Sequence, residues 1–443
     1  MKQRLAFLTV KKMLNEAEAI MKAKNNAQAS LALKKVISRQ NQKRKTHKQE
    51  ADITELTTFF EKHFTDNEAE DLNKRPVSFY QLTSIAEVAS AIKKLSNHKA
   101  PGPDETTGED LKKREVLELT KNLNDMIKKK DTTLTEGYLV PIKKPGKDAK
   151  DPASFRPINL LSSYRKLLST IILSRINNRL EETMSTSQFA YRAGKSTGDI
   201  VLAHKYPIAG AKTKGMNKVC AGIDMSKEFY TVNRSKLLDI LRDRQIGEGS
   251  IALIKLLLFN TTLIIKKRKQ KGKAFKTNRG VPQGDGLSPR LFTIYLDEAL
   301  KEVRKRIGQA SSLEKYPPLH DHDYAKKNVP KIPIHLEYAD DVDFICDSTE
   351  EAERIVKIAK EVFTEYNLII NEEKTEIIQY KDESDLKKSK KLGSYLDEIA
   401  EINKRKQLAS FALLKYRKIW KNCYISIKNK IIIYNIYVRS ILL

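Results

Sequence analysis

One short segment, residues 335–345, constrains the fold of this chain more than any other. It places Asp340 and Asp341 side by side between Val, Ile, Phe and Tyr residues, which favour extended structure. Apolar, β-prone runs on both sides of a polar centre predict two strands joined by a tight turn. Adjacent carboxylates repel each other and lose solvation, so a divalent cation is the partner that favours this arrangement. An ordinary hairpin with an acidic, solvated turn fits the same residues.

A second carboxylate lies at the end of another apolar run. Residues 219–223 have the composition of a strand that ends at Asp224, and the segment that follows favours a helix. If this strand pairs with the strand of Asp340 and Asp341, three carboxylates meet at one place. Phosphoryl transfer with two metal ions requires such a set, and hard oxygen ligands suit Mg²⁺, with Mn²⁺ as a substitute.

Other motifs follow in a fixed order along the chain. They are Leu139–Lys147, Phe155–Ser162, Gln188–Thr197, the strand before Asp224, Gly280–Pro289, Tyr338–Asp341, Asn371–Glu376 and Lys391–Tyr395. In this order they resemble the reverse transcriptase domain of a non-LTR (LINE-like) retrotransposon polyprotein. The resemblance spans residues 96–396.

The resemblance implies an α+β, right-hand polymerase fold, with fingers, a palm built on an antiparallel sheet backed by helices, and a partial helical thumb. We predict fingers over residues 96–215, a palm over 216–385 and the start of a truncated thumb over 386–443. The turn at Lys99–Asp104 resembles the family loop that opens the fingers, and residues 405–420 repeat at helical spacing.

The segment before the fingers has a different character. Residues 1–50 carry 13 Lys and Arg against 3 Asp and Glu. They predict a basic helical lead-in or linker that either contacts nucleic acid or forms a plain surface helix. Residues 51–95 predict a helical connector, with Asp52 as an N-cap and an amphipathic helix over residues 86–95. Related polyproteins carry an endonuclease domain before this region, so its absence and the end at Leu443 predict a fragment or a decayed copy.

The resemblance also assigns catalytic roles. The reaction it implies is attack of a primer 3′-hydroxyl on the α-phosphate of a dNTP, with release of pyrophosphate. Asp224 and Asp340 would be the principal metal ligands, and Asp341 the second member of the pair. Lys374 matches the lysine proposed to protonate the leaving pyrophosphate. Asp343 points the same way as Asp341 by strand alternation, but the family pattern does not require it.

Five further residues match the nucleotide-binding positions of the family. Lys143 and Arg156 correspond to basic fingers residues that contact the triphosphate. Phe229 stands where an aromatic ring lies under the sugar and excludes a 2′-hydroxyl. Gln283 can hydrogen-bond near the sugar and base, and Gly284 lets the backbone approach the nucleotide.

The chain departs from the family pattern beside these residues. Glu228 replaces a small residue next to the sugar and triphosphate, where its charge would oppose the phosphates. Tyr230 replaces an acid outside the metal set, and Asp285 adds an acid after Gly284. We therefore predict that the fold is retained and that activity is weak or lost. The alternatives are an inactive retrotransposon remnant that binds RNA and, less consistent with Gly280–Pro289, a polymerase like the group II intron maturases.

Composition is consistent with nucleic acid partners. The formal net charge is +27 over 443 residues, which favours a polyanion because each cation near a phosphate releases a counterion. A basic ribosomal or chromatin protein would show the same excess. The partners implied by the resemblance are an RNA template, a DNA primer and dNTPs.

The remaining features exclude several classes of protein. Cys220, Cys346 and Cys423 are scattered without a C-x-x-C pair, which indicates buried thiols in a reducing compartment and neither a zinc site nor a disulfide framework. Residues 309–332 predict a proline-bounded loop in which the quartet of residues 320–323 forms a solvated surface. The sequence has no apolar run of transmembrane length and no secretory signal, so we expect an intracellular protein of the nucleus or cytoplasm.

Overall fold

A computed structural model describes residues 50–77, 79–212, 215, 217–226, 228–268, 270–308, 335–381, 383–421 and 426–442. Contacts divide the chain into two compact units. One unit comprises residues 49–381, and the other includes the described C-terminal residues 383–442. The predicted basic lead-in over residues 1–50 and the 320–323 quartet lie outside the described residues, except for Glu50.

The helices of the larger unit are α1 (Ile53–Phe64), α2 (Ile85–Lys94), α3 (Gly108–Lys112), α4 (Val116–Lys129), α5 (Ser163–Thr183), α6 (Thr197–Lys212), α7 (Glu228–Thr231), α8 (Arg234–Asp243), α9 (Glu248–Leu258), α10 (Leu287–Ile307) and α11 (Thr349–Glu365). Its strands are β1 (Glu136–Lys143), β2 (Phe155–Leu161), β3 (Lys218–Ile223), β4 (Met225–Ser226), β5 (Thr261–Lys267), β6 (Gln270–Thr277), β7 (His335–Tyr338), β8 (Asp341–Cys346), β9 (Ile369–Ile370) and β10 (Glu376–Tyr380).

The first sheet has the strand order β2-β1-β5-β6. Its ladders are antiparallel except for the parallel pair β1–β5. Alternate side chains of these strands point to the same face, and apolar residues on one face of the sheet pack against α1. The core between them consists of Ala51, Leu56, Phe60, Phe64, Leu139, Phe155, Leu263, Ile265 and Phe275.

The second sheet has the order β10-β3-β8-β7 and is antiparallel throughout. Side chains alternate between its faces. Val219, Ala221 and Ile223 join the main hydrophobic core, together with residues of α10 and α11 such as Phe292 and Phe363. The other face of β3 carries Cys220, Gly222 and the position of Asp224. This alternation directs the acidic residues away from the main core.

Local sequence signals set the starts of two helices as expected. Asp52 accepts a hydrogen bond from the Glu55 backbone N–H, and the Glu55 carboxylate accepts one from the Asp52 backbone N–H, which confirms the predicted N-cap of α1. The helix predicted over residues 86–95 is α2, which Ser84 and Glu87 cap in the same way. Arg175 also binds Glu87, and this guanidinium lowers the pKa of the carboxyl to about 2.

The described residues of the C-terminal unit form helices and one small hairpin. Its elements are α12 (Glu383–Lys388), β11 (Lys390–Lys391), β12 (Ser394–Tyr395), α13 (Glu398–Lys415), α14 (Arg417–Trp420), α15 (Ile427–Tyr434) and α16 (Ser440–Leu442). Asp397 caps α13 by accepting a hydrogen bond from the Ala400 backbone N–H. The helical character predicted for residues 405–420 is confirmed.

Helices and sheets together confirm the predicted mixture of α and β structure. The right-hand arrangement and the boundaries of fingers, palm and thumb remain predictions. Among the described helices, none combines the length and the apolar character that crossing a membrane requires.

Candidate active site

The acidic residues Asp224, Asp340 and Asp341, which the sequence analysis identified, lie where strands β3 and β8 of the second sheet end. The β3–β8 ladder ends with the pair Ile223 and Val342. One residue further along each strand are Asp224 and Asp341, which antiparallel register places opposite each other. Asp340 lies in the adjoining turn between β7 and β8. The predicted pairing of the two acidic strands is therefore observed.

The turn itself has an unusual backbone. Only Ala339 and Asp340 connect the last paired residues, Tyr338 and Asp341. Ala339 has a φ of 59°, in the left-handed region that L-residues seldom occupy. Such strain persists only where surrounding contacts fix it, which is typical of functional turns.

Asp224 is fixed by the segment that follows β9. Lys374 Nζ lies 3.0 Å from Asp224 Oδ2, and Asn371 Nδ2 donates to the same oxygen at 3.2 Å. The Asn371 backbone N–H also donates to the Asp224 carbonyl at 2.8 Å. Sequence reasoning missed Asn371, although it opens the Asn371–Glu376 motif. The ion pair places Lys374 beside the carboxylate set, with its side chain 63% exposed.

A second residue that sequence reasoning missed, Gln188, supports the acidic turn. Its Oε1 accepts hydrogen bonds from the backbone N–H groups of Ala190 at 2.8 Å and Ala339 at 3.3 Å. Its Nε2 donates to Glu337 Oε2 at 3.0 Å. Gln188 is fully buried, so these bonds form away from water. Its place in the Gln188–Thr197 motif was the available signal.

A buried polar network extends beneath this turn. Glu337 is fully buried, and its Oε1 lies 2.5 Å from His335 Nε2. Arg304 Nη1 lies 2.9 Å from the same imidazole nitrogen. The backbone of Glu337 exchanges hydrogen bonds with Ser187 and Phe189, which adds a short bridge to the edge of β7. These buried hydrogen bonds therefore restrict the movement of the turn between β7 and β8.

The loop of residues 280–284 is anchored by Arg234. Its guanidinium is buried and donates to the carbonyls of Gly280, Leu258, Thr277 and Arg279, and to the Thr277 hydroxyl. The Val281 backbone N–H donates to the Phe229 carbonyl at 2.7 Å. These bonds join the loop to the segment that follows Asp224.

Gln283 and Gly284 both contact Asn159 of β2. The Gln283 carbonyl accepts a hydrogen bond from the Asn159 backbone N–H at 2.9 Å. Tyr230 Oη lies 3.5 Å from Gln283 Oε1. A Cβ added at Gly284 would lie 2.2 Å from the Asn159 carbonyl oxygen. Glycine is therefore required here by the close approach of two backbones.

Replacing Gly284 by alanine is expected to destabilise the larger unit by roughly 1–3 kcal/mol, because the new methyl group overlaps a strand carbonyl. Thermal unfolding followed by circular dichroism measures this loss. Gly286→Ala is the matched control, since a Cβ there meets nothing within 4 Å. Equal unfolding temperatures for the two variants would contradict the steric account.

Phe229 is buried in the structure, with 7% of its surface exposed. Its ring lies 5.0 Å from the ring of Phe292, between centroids, at an angle of 30°. This contact fixes the orientation of the ring at the start of the segment after Asp224. Glu228 begins α7, but the placement of its side chain lies outside the described part of the chain.

The two basic residues predicted to contact the triphosphate point to opposite faces of the first sheet. Arg156 pairs with Ile142, and Lys143 pairs with Phe155. Cross-strand partners share a face, and Phe155 belongs to the core against α1. Lys143 therefore lies on the α1 side, while Arg156 is exposed on the other face. The structure does not bring this pair together.

The face that carries Arg156 has other cations. Lys266 Nζ and Lys271 Nζ lie 4.3 Å and 5.0 Å from the centroid of the Tyr138 ring. Tyr138, Lys266 and Lys271 lie on β1, β5 and β6 of the first sheet, respectively. Tyr138 is buried beneath the two lysines, with 4% of its surface exposed. The face therefore presents positive charge, which suits the phosphates of a nucleic acid.

Asp285 has a structural role that its sequence position did not show. Its side chain is 1% exposed and lies 3.6 Å from Arg165 Nε. It accepts hydrogen bonds from the Ser288 backbone N–H and hydroxyl at the start of α10, and from the Ser169 hydroxyl. Burial lowers the pKa of Arg165, and the Asp285 carboxylate opposes this shift. The additional acid is thus neutralised within the protein.

Comparison with known proteins gives a consistent result. Residues 142–427 match the family described as reverse transcriptase (RNA-dependent DNA polymerase). This match covers more than half of the chain.

The chain belongs to the reverse transcriptase family.

Three relatives illustrate the similarity. A probable RNA-directed DNA polymerase from transposon BS of Drosophila melanogaster is 28% identical over 48% of this chain and 24% of the relative. A Pol polyprotein from the type-1 retrotransposable element R2 of Nasonia vitripennis is 29% identical over 40% of this chain and 17% of the relative. The RNA-directed DNA polymerase from mobile element jockey of Drosophila funebris is 27% identical over 48% of this chain and 24% of the relative.

These alignments span a quarter or less of each relative's length. They confirm the predicted resemblance to non-LTR retrotransposon reverse transcriptases, and with it the nucleotidyltransferase class of this reverse transcriptase domain. The roles of individual residues stay predictions.

Proposed function

We propose that this chain is an RNA-directed DNA polymerase that extends a DNA primer on an RNA template during retrotransposon copying. The observation that carries the proposal is the register of β3 and β8, which continues to Asp224 and Asp341 beside the Asp340 turn. Carboxylates from two rigid, paired strands are the donors that a phosphoryl-transfer site needs.

The carboxylates at the ends of β3 and β8 fit a pair of Mg²⁺ ions, with Mn²⁺ as a substitute. Reverse transcriptases use divalent ions, and the three carboxylates supply hard oxygen ligands. Asp224, Asp340 and Asp341 would hold the ions. When bound, the ions supply Lewis-acid activation of the primer hydroxyl and charge stabilisation for the leaving pyrophosphate.

Other side chains position the substrates in this proposal. Lys374, whose Nζ lies 3.0 Å from Asp224 Oδ2, would donate a proton to the leaving pyrophosphate. Arg156 contacts the triphosphate from the exposed face of the first sheet, with Lys143 in a lesser role because it lies on the other face. Gln283 and Gly284 present backbone and amide groups to the nucleotide.

The alternative function is an inactive remnant that retains RNA binding. The observation that favours it is the replacement of a small residue by Glu228. The formal charge of +27 supports RNA binding in both cases.

The experiment is dNTP incorporation by the purified chain on poly(rA)/oligo(dT), first with Mg²⁺ and then with Mn²⁺. Incorporation that requires the divalent ion supports the polymerase. RNA binding that weakens with salt, without incorporation, supports the remnant. Salt-dependent binding is measured by fluorescence anisotropy on the same RNA.

Phe229→Val is expected to raise incorporation of ATP relative to dATP, on a poly(rU) template with an oligo(dA) primer, by about tenfold, roughly 1.4 kcal/mol of discrimination. The smaller side chain opens space beside the 2′-carbon of the sugar. The ratio of kcat/KM for the two nucleotides measures the effect and is independent of the folded fraction. A ratio unchanged from wild type would indicate that Phe229 serves only to pack against Phe292.

Glu228→Ala is expected to raise the rate of dATP incorporation several-fold, because it removes a negative charge beside the triphosphate. Single-nucleotide extension on a primed RNA template measures the rate. Glu248→Ala, which removes an exposed acid from the first turn of α9, is the control. Equal activity of wild type and Glu228→Ala would show that Glu228 is tolerated.

A further inference from the structure

Three metal-ligating side chains converge on the second sheet, away from the Asp340 turn. His204 comes from α6, Cys220 from β3 and Asp343 from β8. They are 1%, 0% and 7% exposed, which is unusual for a histidine and a carboxylate. Strand alternation places Cys220 and Asp343 on the face opposite the main core, and α6 covers them there.

The donor atoms of the three side chains lie within 4.8 Å of one another. His204 Nε2 lies 3.5 Å from Cys220 Sγ and 3.4 Å from Asp343 Oδ2. Cys220 Sγ lies 3.6 Å from Asp343 Oδ1. The imidazole–carboxylate separation exceeds the range of about 2.7–3.2 Å for a well-formed N–H···O hydrogen bond.

The two separations from His204 Nε2 agree with those of atoms that share one tetrahedral cation. Zinc bonds of about 2.0–2.1 Å to nitrogen, 2.3 Å to sulfur and 2.0–2.2 Å to oxygen require ligand atoms roughly 3.3–3.7 Å apart. Both separations fall within that range, and one donor atom from each of the three side chains lies within 4.8 Å of the others. The three side chains are therefore close enough together to share one small cation.

The imidazole of His204 is oriented with one nitrogen toward the other two side chains. His204 Nδ1 is buried and has no hydrogen-bond partner among the described residues. The contacts of the ring with Cys220 and Asp343 are made through Nε2, a nitrogen that can bind a metal ion.

We propose that His204, Cys220 and Asp343 form a zinc site. Thiolate, imidazole and carboxylate together suit Zn²⁺, whereas Mg²⁺ prefers oxygen ligands alone. Three protein ligands leave one position for water. The site is distinct from the Asp224, Asp340 and Asp341 carboxylates, which supply only oxygen.

The site connects three elements that frame the candidate active site. Cys220 precedes Asp224 by four residues on β3, and Asp343 follows Asp341 by two residues on β8. A zinc ion at this point would fix α6 to both strands and keep their register. Because the two acidic residues of β8 are about 7 Å apart along the strand, zinc would stabilise the site without sharing its ligands.

The test measures zinc in the full chain, purified without a polyhistidine tag. Inductively coupled plasma mass spectrometry is expected to find about one zinc per chain. Replacement by Co²⁺ is expected to give the absorption of a cobalt–thiolate bond, which reports the cysteine directly. His204→Ala and Cys220→Ser are each expected to reduce zinc occupancy at least tenfold.

Four control variants separate this site from other candidate ligands. Cys346→Ser and Cys423→Ser are expected to retain zinc; burial raises the pKa of the Cys346 thiol to about 12, so it stays protonated. His320→Ala/His322→Ala, in the segment outside the described residues, is also expected to retain zinc. Asp340→Ala/Asp341→Ala should keep zinc while losing polymerase activity, which separates this inference from the proposed function.

Two outcomes would overturn the proposal. One is wild-type protein that takes up no more zinc than the His204→Ala/Cys220→Ser double variant. The other is a Co²⁺ complex without thiolate absorption. If the single variants fail to fold, as judged by circular dichroism, the spectrum of the wild-type Co²⁺ complex still decides between a zinc site and a hydrogen-bonded cluster.

Discussion

Asp340→Ala/Asp341→Ala is expected to lower dNTP incorporation at least 10³-fold, on the order of 4 kcal/mol of transition-state stabilisation. The double variant removes two of the three carboxylates that meet where β3 and β8 end. Asp224 alone cannot supply the ligands that two cations require. Primer extension on poly(rA)/oligo(dT) with Mg²⁺ measures the loss.

The matched control is Glu372→Gln, which removes an exposed acid close to Asn371 and Lys374. Glu372 pairs with Lys360 on the surface, so its loss is expected to change incorporation less than twofold. Circular dichroism establishes that both variants are folded. Wild-type incorporation that survives in the double variant would contradict the proposed site and point to a contaminating polymerase or a different set of acids.

Gln188→Met is expected to reduce kcat at least tenfold in folded protein and to lower the free energy of unfolding by roughly 2–4 kcal/mol. Methionine has a similar volume but cannot form the three hydrogen bonds to Ala190, Glu337 and Ala339. The left-handed Ala339 then loses a contact that fixes the acidic turn.

Single-turnover extension well below the unfolding temperature measures the first effect, and urea denaturation measures the second. Gln379→Met is the control. Gln379 lies on β10 of the second sheet, which also contains the strands of the acidic turn, and it donates one side-chain hydrogen bond, to Thr349. A Gln188→Met protein that is less stable but retains wild-type kcat would show that Gln188 supports the fold alone.

Patterns among neighbouring residues were sufficient to predict several of the strands and helices. The apolar, β-prone runs on both sides of Asp340 and Asp341 predicted β7 and β8, and the apolar run before Asp224 predicted β3. The capping residue Asp52 and the helix over residues 86–95 were also predicted correctly. Each of these depends on neighbours within a few residues, where periodicity and side-chain chemistry act directly.

The faces of the first sheet on which Lys143 and Arg156 lie could be determined only from the strand pairing. Lys143 and Arg156 were grouped because both match basic positions of the family. The register of β1 with β2 places them on opposite faces. A strand register shifted by one residue would reverse this result, and no local pattern fixes the register of two strands from separate motifs.

The sequence by itself determined the family, the acidic motifs and the elements that carry them, because those signals are local and ordered along the chain. Only the tertiary structure decided which distant groups meet. Gln188 contacts a turn about 150 residues away, and Asp285 is neutralised by Arg165. The spacing of the cysteines predicted no zinc site, yet His204, Cys220 and Asp343 converge because β3 pairs with β8 beneath α6. Such groupings arise from packing between elements, a property that residue spacing does not encode.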